Sequence, residues 1–384
     1  MIFRASIIRR STSHSEAISR LRRVLFVIVL LSGPAAYPQS IFLDGGYVIG
    51  DKAAGMAAYI AAPDFAHAVQ LNPAGLGYVG TIYAATDYEY FSRDVGLLFL
   101  PDKPTDLLTN GRLSAWDASL AFPVGQIGIG ASFNSYDLAG WRTTVSSVGA
   151  GVPLPLGFSI GATAKYVSVE KPTFVPGGSS AAKLNRVTFD IGAMNRTELA
   201  NTTFFRAILS SGVVFTNVLA PTKWRDLILP SGQQTLNVDL PQTFGFGVAY
   251  TFASNYRLYD FELFRVTAAV DYSHILGATN PMDGFTLQRD SYRIGLETTA
   301  LGVLAVRLGY TLKTPVIQGY DSYSHLTVAR MGSGFSYGFS LRFPLKLVLP
   351  SVPITSLEVS YAKNPEWNSG MYHDIFGAVF ELLF

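Results

Sequence analysis

From about residue 80 to the end, the chain repeats one pattern: apolar residue, then small or polar residue, in blocks of roughly ten separated by turn formers. Successive side chains of a strand point to opposite faces, so each block presents one apolar and one polar face as a strand and neither as a helix. In 333–343, Phe335, Tyr337, Phe339, Leu341 and Phe343 share one face, and Ser336, Gly338, Ser340 and Arg342 share the other. In 263–273, Phe264, Val266, Ala268, Val270 and Tyr272 oppose Arg265, Thr267, Asp271 and Ser273. In 303–313, Leu304, Val306, Leu308, Tyr310 and Leu312 oppose Arg307, Gly309, Thr311 and Lys313. Segments 127–134, 187–193, 243–252 and 292–298 repeat the theme.

A soluble sandwich also alternates, with its apolar face turned inward. Here aromatics dominate the apolar face and crowd the segment ends, as in interfacial girdles, and the pattern continues with no second domain. Those features predict a transmembrane antiparallel β-barrel. Counting back from Phe384 gives strands near 373–384, 352–363, 331–345, 303–313, 289–300, 261–275, 241–253, 203–218, 185–194, 156–171, 141–152, 125–136, 112–122 and one long strand within 81–100. Fourteen is an even number, as a bacterial single-chain barrel requires. Splitting 81–91 from 93–100 would give fifteen, which makes the first strand the least well defined. The connections alternate between a mostly long set (101–111, 137–140, 172–184, 219–240, 276–288, 314–330, 364–372) and a short one (123–124, 153–155, 195–202, 254–260, 301–302, 346–351). Long outer loops and short periplasmic turns place both termini in the periplasm.

No stretch is long enough for a membrane helix: the longest apolar run, Val24–Leu31, has eight residues, against about 20 needed. Arg20, Arg22 and Arg23 precede it and Ser32-Gly33-Pro34-Ala35-Ala36 follows, so residues 1–36 read as a secretory signal peptide. Its loss removes six basic residues and Glu16, and the net charge of +2 becomes −3. The mature chain therefore gives no reason to invoke nucleic acid. There is no cysteine, so disulfides and thiolate metal sites are excluded.

The C-terminal segment places Phe376, Ala378, Phe380, Leu382 and terminal Phe384 on one face. A last strand ending in Phe resembles the signal read by the barrel-assembly machinery, a partner during biogenesis beside outer-membrane lipid.

Residues 41–80 do not alternate. Within them Gly45-Gly46, Gly50, Ala54-Gly55-Met56, Ala61, Asp64, Ala68 and Asn72-Pro73-Ala74-Gly75-Leu76 stand in a background rich in Gly and Ala. This pattern resembles the N-terminal region of FadL-like outer-membrane transport proteins, closest to the PorV/PorQ branch. The resemblance implies a fourteen-stranded barrel, residues 81–384, with 37–80 folded into the lumen as a plug or hatch. Two departures stand out: Ala57-Ala58-Tyr59 replaces the family's Gly-Gly-Ala, and Pro63-Asp64 replaces its paired acids. Asp64, Asn72, Pro73 and Gly75 are thus the hatch and ligand candidates, with structural packing of the hatch favoured over direct ligand contact.

No catalytic or metal-binding pattern appears. His14, His67, His274, His325 and His373 are scattered without metal-pair spacing, and Gly45–Gly50 lacks the context of a nucleotide loop. No cofactor is implied. The polar face carries Lys165, Asp190, Arg265, Asp271, Arg293, Glu297, Arg307, Arg342 and Glu358, which read either as mutual ion pairs or as a polar conduit. Three functions remain: a barrel passing hydrophobic small molecules, a PorV-like component holding secreted proteins, and an outer-membrane hydrolase seeded by His373-Asp374.

N-terminal sequencing of the mature protein should find its start between Ala36 and Ile41; recovery of intact Arg20 would remove the signal-peptide reading.

Overall fold

The computed structural model describes residues 50–62, 64–91, 114–138, 141–175, 178–218, 242–258, 261–276, 290–313, 334–348, 354–365 and 372–382. The signal segment and Phe384 lie outside them.

Sixteen strands are described: β1 (Ile82–Phe91), β2 (Ser114–Val124), β3 (Ile127–Leu138), β4 (Trp141–Leu154), β5 (Phe158–Val175), β6 (Gly178–Asn201), β7 (Phe205–Thr216), β8 (Gln242–Ser254), β9 (Arg257–Leu258), β10 (Phe261–Glu262), β11 (Phe264–Leu276), β12 (Asp290–Ala300), β13 (Leu304–Lys313), β14 (Gly334–Phe343), β15 (Ile354–Pro365) and β16 (Tyr372–Leu382). The tiny β9–β10 hairpin stands apart. The other fourteen form one closed antiparallel barrel, each paired with its sequence neighbour, and β1 closes on β16 from Ile82↔Leu382 to Phe91↔His373.

Each wall strand has its faces inverted relative to a soluble protein. On β12, Tyr292, Ile294 and Leu296 are exposed to the outside, while Ser291, Arg293, Gly295 and Glu297 are buried within. On β14, Phe335, Tyr337, Phe339 and Leu341 face out, and Ser336 and Ser340 are buried. An apolar exterior around a polar interior is stable where the outer solvent is hydrocarbon. Tight turns join strands at one end. Leu301 and Gly302 both adopt positive φ, 54° and 62°, the twist that two-residue hairpin connections demand.

Two differences from the sequence reading concern length. β1 is described to Phe91, and the remainder of the expected 81–100 strand lies outside the described residues. The expected strands 156–171 and 185–194 extend to Val175 and across Gly178–Asn201, so most of the expected loops 172–184 and 195–202 is paired strand. Apolar alternation stops near Glu170-Lys171-Pro172, but antiparallel pairing persists through Val175↔Gly178 because backbone hydrogen bonds do not require apolar side chains.

Inside the wall, residues 50–80 form two short helices, α1 (Asp51–Met56) and α2 (Ala68–Leu71), and a 3₁₀ turn, Pro73–Tyr78. Almost every residue from Ala53 to Leu76 is buried or half-buried. The wall makes room by withholding side chains. Gly128, Gly151, Gly161 and Gly192 are cross-strand partners in one row over β3–β6, and Asn72–Gly77 lies on that row. A Cβ on Gly151 would stand 2.5 Å from the Gly77 nitrogen, and one on Gly161 or Gly128 would overlap the carbonyl of Pro73 or Leu76. A second glycine pair, Gly295↔Gly309, receives the Met56 carbonyl.

Gly161→Val should displace the Asn72–Leu76 segment and lower the stability of the detergent-folded barrel by about 1–3 kcal/mol, the usual range for overpacking. Ala164→Val, on the outward face of the same strand, should change little. Equal urea midpoints for the two variants would remove the close-approach account.

Candidate functional site

Three polar seats hold the luminal segment, each formed where a small-residue stretch meets inward groups of the wall. The first lies on β1–β3. His67 is fully buried, and its Nδ1 is 3.1 Å from Asp64 Oδ2, while Asp64 Oδ1 accepts from the Ala66 amide at 3.2 Å. His67 Nε2 lies 2.6 Å from Asp87 Oδ2, a close charge contact that is not aligned as a hydrogen bond. Asp87 is the direct cross-strand partner of Asp117, and Asp117 of Asn134. Gln70 of α2 donates its amide to both Asp117 oxygens, at 3.0 Å each. Burial opposes charge on Asp64, but the hydrogen bond and charge of His67 outweigh it and hold the carboxyl well below the usual range. Burial likewise favours a neutral His67; Asp87 and Asp64 overcome that and raise the imidazole well above its ordinary value.

The second seat is Asp271 on β11. Its Oδ2 accepts from the backbone amides of Tyr59 at 2.5 Å and Ile60 at 2.8 Å. Its cross-strand partner Arg293 lies 5.1 Å from the Tyr59 ring centroid and donates to Ser273 at 2.9 Å. Ile60 continues onto the small wall residues Gly212 and Gly247.

The third seat is an ionic network on β11–β15. Arg307 donates to Glu297 and Glu358 at 2.9 Å each, and Arg342 donates to Glu358 at 2.7 Å. Arg265 and Lys52 of α1 approach Glu297 at 3.5 and 3.6 Å. Ser336 donates to the Gly55 carbonyl at 3.3 Å. This network lines a cavity of ≈ 230 Å³ beside the tight turn at Gly302-Val303, roofed by Lys52, Asp64 and Phe65. The cavity wall carries both signs of charge.

Of the nine luminal charges read from sequence, Lys165 pairs with Asp190, Glu358 joins the network, and the other six fall into two groups. Arg265, Glu297, Arg307 and Arg342 converge on the network, and Asp271 and Arg293 flank Tyr59. The first four make the ion pairs and also line the cavity, so for them the two readings are not exclusive. Of the motif residues, Asn72 is fully buried; its Nδ2 donates to the Ile60 carbonyl at 3.0 Å, and its Oδ1 caps Ala74 at 3.2 Å. Pro73 opens the 3₁₀ turn, and the Gly75 amide closes it onto the Asn72 carbonyl at 2.9 Å. Asp64 serves His67. Each of these groups fastens the segment to itself or to the wall.

Asp374, one member of the His373-Asp374 pair, accepts from the Tyr361 hydroxyl at 2.6 Å and lies 3.6 Å from Lys363. The His373 side chain lies outside what is described. The cluster of His67, Asp87 and Asp117 was not foreseen, because its members are contributed by three separate segments. The available signal was two acids, Asp87 and Asp117, at inward positions of neighbouring strands.

No family model and no curated protein matches the chain. Among solved structures it is similar to a Pseudomonas aeruginosa FadL homologue, at 13% identity and TM-score 0.45, covering 87% of this chain and 98% of that one. It is similar to the CymD monoaromatic hydrocarbon channel at 12% identity and TM-score 0.49, covering 89% and 99%. The Ralstonia pickettii toluene transporter TbuX matches at 13% identity and TM-score 0.46, covering 90% and 100%. Likeness at this distance transfers no function, and the barrel assignment rests on the strand pairing itself.

Replacing Arg307 by Met leaves the buried Glu297 with only its two longer-range cations. Loss of one partner from a buried pair costs about 3 kcal/mol at the lower end of the usual range. The Arg307→Met barrel should therefore unfold at lower urea, and adding Glu297→Gln should recover part of the loss. A double variant no better than the single one would show that the pair is not the source of stability.

Proposed function

We propose that this chain is an outer-membrane transport barrel for small apolar molecules, non-enzymatic, with residues 50–80 as a movable stopper. The observation that carries the reading is how the lumen is filled. A wall built for rigidity alone would close its interior with large interlocking side chains. Here the obstruction is a separate thin segment, rich in Ala and Gly, seated by a few discrete polar contacts. Such contacts can be exchanged for water or for an entering molecule without dismantling the wall.

The apolar exterior supports an outer-membrane location, with lipid and the barrel-assembly machinery as partners and both termini on the periplasmic side. The mixed-charge cavity at the tight-turn end is poorly suited to holding an apolar molecule, so apolar cargo would be held elsewhere. The PorV-like alternative, a holder of secreted proteins, would use surface loops that lie largely outside the described residues.

Expression in cells lacking their own hydrophobic uptake barrels tests the choice. Entry of labelled toluene and of a labelled long-chain fatty acid should rise severalfold for at least one probe. If neither enters faster while an exported protein co-purifies with the barrel, the transport reading fails and the secretion reading replaces it.

A further inference from the structure

The cluster around His67 does more than pack. Asp87 and Asp117 face each other directly across β1 and β2, and like charges in that position repel. With the half-buried Asp64 they make three carboxylates around one fully buried imidazole. The nearest hatch cation, Lys52, is directed to Glu297. A single His67 charge faces two buried carboxylates, Asp87 and Asp117, besides the half-buried Asp64, and burying unbalanced charge is costly.

The geometry around the imidazole points to what balances them. His67 Nδ1 is engaged by Asp64, which turns Nε2 toward Asp87 and Asp117. A carboxylate on one imidazole nitrogen, orienting the other at a metal, is the usual support of a metal-bound histidine. Gly50, at φ 87°, lies against the ring, and a Cβ there would stand 2.9 Å from Nδ1, so the ring has little room to swing. Asp87 is 5% exposed and neither of its carboxylate oxygens has a hydrogen-bond partner, although Oδ2 points at Nε2. Gln70 fixes Asp117 from the far side.

We propose that His67 Nε2, Asp87 and Asp117 bind a divalent transition-metal cation of the zinc type, which clips the luminal segment to β1 and β2. One ligand atom from each of the three lies within 4.8 Å of the others, and small side-chain adjustments, with the 2.6 Å Nε2–Oδ2 contact opening to admit the ion, bring them to a common centre. One imidazole with two carboxylates suits Zn²⁺, whereas Ca²⁺ takes six to eight oxygens. The metal neutralises the facing acids and joins the segment to the wall at one point.

The test uses the full untagged chain, folded in detergent and stripped with a chelator, with Zn²⁺ as the probe. Calorimetry should show one saturable equivalent. Asp87→Asn and Asp117→Asn, shown to be folded by heat-modifiable gel mobility, should weaken binding at least tenfold, and Asp64→Asn, which acts through His67, should weaken it less. X-ray absorption of the Zn²⁺-loaded wild type should show one imidazole nitrogen among oxygen donors, and it decides the case should the variants not fold. Absence of saturable binding, unchanged binding in the folded Asp variants, or a spectrum without one imidazole would overturn the metal site and leave an ion-paired His67.

Discussion

Everything in this molecule depends on the closing pair, β1 on β16. An open sheet would present two rows of unpaired backbone groups, and in hydrocarbon each such group costs several kcal/mol. Ten residues of β1 find partners on β16 and eight on β2, so the ladder has no free edge at the seam. Closure fixes the strand count and tilt, which fix the bore, and the bore creates the space that residues 50–80 occupy. The luminal seats are secondary to that hydrogen-bonded ring.

The wall and the luminal segment fit by subtraction. Along Gly128, Gly151, Gly161 and Gly192 four consecutive strands give up their inward side chains at one level, and the backbone of Asn72–Gly77 takes the vacated volume. Glycine in a strand ordinarily weakens it. Here the loss is offset by backbone-to-backbone approach that no larger residue permits, supported by Ser159 and Thr163, which donate to the Ala74 and Val69 carbonyls at 2.7 and 2.8 Å. The polar seats are spread around the circumference, on β1–β3, on β11 and across β11–β15, so no one side of the wall carries the segment.

The wall was readable from sequence because its physics is local. A strand between lipid and lumen must alternate, and Phe335–Phe343 or Leu304–Leu312 does so residue by residue. The small-residue motifs were also legible as a departure from alternation, though their purpose was not: Asn72-Pro73-Ala74-Gly75-Leu76 becomes intelligible only against the glycine row, and register between strands cannot be read from one strand alone. The extended pairing of β5 and β6 was missed because the alternation ends before the hydrogen bonding does. The His67 cluster was missed for the same kind of reason. Asp87 and Asp117 are brought opposite each other by strand register, and His67 reaches them from a segment with no periodicity to follow.

The luminal segment also orders events in time. Its second half, around Asn72–Gly77, touches β3–β6, wall that follows within about 120 residues along the chain. Its first half touches groups far downstream, with Ile60 and Asp271 separated by 211 positions and Gly55 and Ser336 by 281. Contacts between remote positions carry the larger loop-closure entropy and form late. The two halves thus belong to different stages of assembly: one can dock while the sheet is still a growing arc, and the other only when nearly the whole arc exists. A chain stalled before closure would hold the segment by one end.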